Sequence, residues 1–263
     1  MSRTKAWGQY HPILTGLIDK AKDPDTTIEL HGITKLGGIA DQYRYLEYLE
    51  SGEVMENVQT AVKQGFDAFI IGNIADPGLR ECREIANIPV LGLCETSMLL
   101  SCQMGANFAL VTLNEKFTPR IVENAHRLAI ERRLHSVERM KSDRILTLGE
   151  AFSSEPLKRE FIDHFMQTAG RAVEAGAEVI IPAGGVLMAL LAQEGIHEVG
   201  RGTPVLNGIT ALIKMGETAA KLNRLMGGNF TSKRLAYAPP GPDQIDEIRK
   251  YYGDIYPTVG SGG

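Results

Sequence analysis

Cysteine is scarce in this chain. Cys82, Cys94 and Cys102 form no C-x-x-C pair and have no metal-ligand spacing. An odd, scattered set of thiols excludes a disulfide framework and is expected of a reduced, cytoplasmic protein. Long apolar runs are missing as well: no stretch approaches the roughly 20 apolar residues that span a bilayer. The first ten residues are polar and lack the apolar segment of a secretory signal. Neither sign of charge dominates. Lys and Arg total 28 against 32 Asp and Glu, a net charge of −4, and the two signs are interspersed. That balance gives no case for nucleic-acid or polyanion binding. The longest basic cluster, Glu131-Arg132-Arg133, fits a solvated helix face. G-x-G-x-x-G after a strand, G-x-x-x-x-G-K-[ST], H-E-x-x-H and G-x-S-x-G are all absent. Dinucleotide, phosphate-loop, zinc-protease and serine-hydrolase chemistries therefore have no fingerprint. No cofactor is expected, and no spacing of His11, His31 and Glu95 supports a metal.

What is present is a repeated unit. Residues 61–91 read AVKQGFDAFIIGNIADPGLRECREIANIPVL, and residues 172–206 read AVEAGAEVIIPAGGVLMALLAQEGIHEVGRGTPVL. Each runs from a helix end through a glycine (Gly65, Gly176) into a buried apolar strand. A small-residue turn, a second helix and Pro-Val-Leu follow. The matched strand ends are Asn73 and Gly184. Over the whole chain, apolar runs predict strands at 28–31, 67–72, 89–93, 107–112, 144–148, 178–182 and 203–206, with a weaker one near 3–8. Helices are predicted at 12–22, 50–64, 77–87, 96–103, 117–132, 156–175, 186–194, 209–226 and 243–251. Such alternation implies an α/β fold with parallel sheets covered by helices. With 43% hydrophobic residues, 263 residues suffice for one large domain or two small lobes.

In open parallel sheets ligands bind beyond the carboxyl ends of the strands. That rule selects Gln9, Tyr10, His11, His31, Asn73 to Asp76, Cys94 to Thr96, Thr112, Ala183 to Gly185 and Asn207. The turns Gly72-Asn73-Ile74-Ala75 and Ala183-Gly184-Gly185 each precede a helix, where backbone N–H groups attract an anion. Asn73 is suited to donate to a developing oxyanion. Asp76, before Pro77, fits an N-cap. Cys94 at a helix start is a conceivable thiolate nucleophile, against its reading as a small buried hydrophobe. Glu95, His31 and His11, in that order, are the candidate proton carriers. Tyr43 sits in a segment suited to a lid.

The blocks Asp76-Pro77-Gly78-Leu79 with Ile88-Pro89-Val90-Leu91-Gly92, Ala175 to Ile181, and Pro204-Val205-Leu206-Asn207-Gly208 running into Lys214 resemble the aspartate/glutamate/hydantoin racemase superfamily, hydantoin racemases in particular. The resemblance covers most of 28–226. It implies two pseudo-symmetric lobes with the site between them: 1–112 plus 208–226, and 113–207. A C-terminal arm, 227–263, would remain. It also implies an even-numbered homo-oligomer, which the proline-rich arm would help to build by wrapping a neighbouring subunit. Racemases of this kind carry a cysteine at the end of each of two strands, as an acid/base pair. Here the equivalent positions hold Asn73 and Gly184, neither of which does acid/base work. The expected activity is therefore cofactor-independent chemistry on a small carboxylate or cyclic amide or imide. It would be isomerase, decarboxylase or ring-opening in type, through an enolate-like or tetrahedral oxyanion. The alternatives are a hydrolase that activates water with Glu95 or a histidine, and a non-catalytic binder of small anions.

Overall fold

The computed structural model describes residues 10–35, 43–140 and 150–257. Gln9, Gly37-Gly38, the expected strands near 3–8 and at 144–148, and the tail 260–263 lie outside these residues.

All strand pairing between the described strands is parallel. β1 (Phe69–Ile71) lies beside β2 (Val90–Gly92), with Ile70 opposite Leu91. β3 (Phe108–Thr112) is flanked by β4 (Leu134–Arg139) and β5 (Ile180–Pro182). β2, β3 and β5 are buried at every position, which is why they read as continuous apolar runs rather than alternating ones. Each ends where a small or polar turn delivers the chain to the next helix.

The α-helices among the described residues are α1 (Tyr10–Ala21), α2 (Arg44–Gln64), α3 (Leu79–Ile85), α4 (Leu93–Met104), α5 (Thr118–Arg127), α6 (Glu155–Ala175), α7 (Gly185–Gln193), α8 (Gly208–Leu225) and α9 (Pro242–Tyr252). α2 and α6 end on Gly65 (φ 79°) and Gly176 (φ 113°), left-handed residues that close the last turn. α8 is capped by Asn207, whose Oδ1 accepts from Thr210 N–H at 3.1 Å while its Nδ2 donates to Met188 O at 2.9 Å. That cap ties α8 to α7, and α8 then packs on α1, α4, β1 and β2.

The core has three parts. The largest joins Leu93, Met98, Phe108, Leu110, Ile181 and Met188 with α8. A second packs Phe161 and Phe165 of α6 on β3, β5 and α7. A third seats Val58 of α2 against Ile71, Leu79 and Val90.

Three expectations change. Residues 28–31 pair with no described strand, and Leu30 is 38% exposed. Residues 203–206 contribute only isolated bridges, Val205 to Ile180 and Pro204 to Glu198. The helix expected to reach 132 stops at Arg127, because Ala129 adopts φ 56° and the chain turns into a 3₁₀ segment and then β4. The arm folds back on its own α3: Lys233 Nζ donates to the carbonyls of Arg83, Glu84 and Ala86, and Tyr256 Oη donates to Glu84. Those carbonyls are the unsatisfied end of a short helix, so an ammonium is well matched to them. No helix of the described residues is long and apolar enough to cross a membrane.

Candidate functional site

The two small-residue turns meet. A Cβ built on Gly185 would lie 3.7 Å from Gly72 O and 3.2 Å from the Tyr10 hydroxyl. Only glycine permits so close an approach without displacement. Strand ends from both repeated units are thus brought to one place, with α1 laid across them. Gly72 is exposed, and Asn73, Gly184 and Gly185 are half-buried, so this junction retains an open side. Ile74, Ala75 and Ala183 are buried and serve as the floor of the turns.

The turns differ in what they leave available. In the first, Asn73 Oδ1 accepts from Ala75 N–H at 2.8 Å, and Asn73 O accepts from Asp76 N–H at 3.0 Å. Two of its backbone donors, those of Ala75 and Asp76, are thus used within the turn itself. With Oδ1 so engaged, the Asn73 Nδ2 remains a donor. In the second turn, the N-terminus of α7 has no side-chain cap, and its first intrahelical bond is Met188 N–H to Gly184 O. The N–H groups of Gly185, Val186 and Leu187 are the orphan donors of that helix.

Asp76 does not cap the helix that follows Pro77. It has φ 52° and is buried, and its carboxylate accepts from Cys94 N–H at 2.9 Å and Glu95 N–H at 2.8 Å. It therefore caps α4 from across the sheet. Burial pushes its carboxyl up to about 7, although the two N–H bonds oppose the shift.

Behind the first turn lies a cleft of about 360 Å³ whose lining includes Asp76, Glu95, Arg80, Arg120 and Asn124, but neither Asn73 nor Gly184. Glu95 is held there by Arg83, with contacts of 3.1 and 2.5 Å. Both carboxylate oxygens of Glu95 are thus occupied by the guanidinium. Arg120 is nearly buried. It donates three times to Glu47, at 3.0, 2.8 and 2.5 Å, and to Ala75 O at 2.7 Å. Asn124 Nδ2 points at the same carbonyl at 3.4 Å. This network pins the first turn from α5.

Other expected site residues lie apart. His31 is exposed and pairs with Glu29 at 3.1 Å, on a segment that ends no strand. Thr112 is fully buried, bonded to Thr118 Oγ1 at 2.6 Å, and has no open side. Tyr43 is 48% exposed, with Lys116 Nζ 5.5 Å from its ring centre. His11 is half-buried in the first turn of α1, next to Tyr10. Cys94 is fully buried and its thiol is shifted up by burial; the Cys82 thiol is pushed up to about 12 for the same reason. Neither is an available nucleophile. Among the described residues no group of three or more His, Cys, Asp or Glu is placed to hold a metal.

Sequence reasoning passed over Arg120, Asn124, Glu47 and Arg83, and listed Tyr10 without a role. One signal was present: Arg120 and Asn124 are an i, i+4 polar pair beside the apolar i, i+4 pair Ile121 and Ala125.

The architecture is that of solved racemases. Allantoin racemase from Pseudomonas fluorescens superposes with a TM-score of 0.67 at 25% identity, over 90% of this chain and 95% of that one. Allantoin racemase from Klebsiella pneumoniae gives 0.66 at 22% identity, over 88% and 89%. The Asp/Glu/Hydantoin racemase family model matches residues 18–216. Hydantoin racemase of Pseudomonas sp. (strain NS671) is 30% identical over 222 residues, 84% of this chain and 81% of the relative. The chain belongs to the Asp/Glu/hydantoin racemase family. Its relatives support an isomerase-type enzyme.

Proposed function

We propose that this protein isomerises a small cyclic amide or imide, of the kind its hydantoin and allantoin racemase relatives are named for, without using a thiol. The carrying observation is the junction of the two turns, where the strand ends hold Asn73 and Gly184 while two of the three cysteines are buried elsewhere. A C–H beside a carbonyl gives its proton to a base; the C–H electron pair forms the C=C bond of an enolate while the C=O π pair moves onto the oxygen. Asn73 Nδ2 and the N–H groups at the start of α7 stabilise that oxygen. Return of the proton to either face of the carbon yields either isomer. His11 is the base in this reading, because it lies on the turn of α1 beside the junction and a neutral imidazole nitrogen accepts a proton.

The hydrolytic alternative with Glu95 is less well supported, since Arg83 occupies that carboxylate. The division into lobes 1–112 plus 208–226 and 113–207 is part of the proposal. The packing of α8 on β1 and β2 supports it. An even-numbered homo-oligomer is likewise proposed.

Polarimetry on enantiopure allantoin and 5-substituted hydantoins tests the reading. Loss of rotation with the ring intact is the expected result. A ring-opened product would replace this function by hydrolysis, and tight binding with no turnover would replace it by a binding role.

A further inference from the structure

We propose that Tyr10 is a catalytic residue, whose phenol O–H donates to the substrate oxygen that gathers charge at the junction of the two turns. This inference rests on the isomerase reading above and adds to it the group that faces the oxyanion. The hydroxyl lies 3.2 Å from the Cβ position of Gly185, and that same point is 3.7 Å from Gly72 O. The phenol therefore stands where strand ends of the two repeated units come together. Its ring is stacked on Phe152, with centroids 5.9 Å apart and planes at 27°, and packs on the main core. A donor fixed in that way needs no reorganisation as charge develops. Burial moves the phenol pKa upward, so Tyr10 remains protonated across the working range and acts as a donor, not as the base.

The lack of a side chain at Gly185 then has a functional meaning. Gly185 is the first residue of α7 and its φ is not positive. Alanine is thus allowed by the backbone and favoured by the helix. What it would disturb is the phenol, by a few tenths of an ångström.

The test uses the full chain with enantiopure allantoin for turnover and hydantoin for calorimetric binding. Tyr10→Phe keeps the ring and its stacking. It is expected to lower kcat by about 10²-fold with little change in KM and an unchanged melting curve. Gly185→Ala is expected to lower kcat without lowering the melting temperature. Wild-type turnover that survives in Tyr10→Phe overturns this inference and leaves the isomerase reading standing. If the wild type binds hydantoin without turnover of either compound, the isomerase reading falls and this inference falls with it. If the wild type neither binds nor turns over either compound, both the reading and the inference fall.

Discussion

Replacing Arg120 by methionine removes the cation from a nearly closed site. Arg120 and Glu47 side chains are 7% and 11% exposed, with contacts of 3.0, 2.8 and 2.5 Å between them. The nearest other cation on α2, Arg44, is already held by Glu123. The variant strands a buried carboxylate, which costs about 3–5 kcal/mol. It also leaves the Ala75 carbonyl with only the 3.4 Å contact from Asn124. Exchanging both partners, Arg120→Met with Glu47→Leu, removes the stranded charge and recovers most of the loss. The unsatisfied Ala75 carbonyl remains, and the double variant should stay about 1–3 kcal/mol below the wild type. Urea unfolding at pH 7, with m-values compared to confirm a common unfolded state, measures all three. A single variant within about 1 kcal/mol of wild type, or a double variant as unstable as the single, refutes the reasoning.

Asp76 carries the expected pH dependence. Its folded pKa is raised to about 7 from an ordinary 3.8, so its contribution to stability is fully present below about pH 4 and is lost as pH rises through 7. Subtracting Asp76→Asn from the wild type should expose a fall of up to about 1.4 kcal/mol per pH unit within that window; a flat difference would sink the assignment. Glu95→Gln should leave turnover within about threefold, since Arg83 already holds the carboxylate; a loss of about 10²-fold with unchanged binding would make Glu95 the proton carrier. Lys233→Met uncovers three carbonyls at the end of α3. It should cost about 1–3 kcal/mol and speed proteolysis of the arm, and an unchanged cleavage rate would show that the arm is held otherwise. Light scattering at micromolar concentration should give a mass that is an even multiple of 28.7 kDa.

The buried parallel strands were legible because Phe69–Ile71, Val90–Gly92, Phe108–Thr112 and Ile180–Pro182 are apolar runs bounded by turn residues. The meeting of the turns was legible from the internal repeat. β4 was not, since four of the six residues in Leu-His-Ser-Val-Glu-Arg are polar and the strand is only half-buried, and the turn that precedes it uses a left-handed alanine where a glycine would have marked it. The polar supports of the site were hidden for a different reason. Asp76 reaches 18 and 19 residues ahead to cap α4, and Arg120 reaches back 73 residues to Glu47. Periodicity describes one element's face and carries nothing about which polar group on another element will meet it. His31 misled because a four-residue alternation without a pairing strand has no end to place a ligand at.

The central claim is proton transfer without a thiol. The direct measurement is deuterium incorporation at the stereogenic carbon of enantiopure allantoin in D₂O, followed by NMR. It compares the wild type with a cysteine-free variant, Cys82→Ala, Cys94→Ala and Cys102→Ser. The account expects enzyme-dependent exchange in both, at rates of the same order, once a melting curve confirms that the variant is folded. Exchange by the wild type that disappears in the folded cysteine-free variant would contradict it.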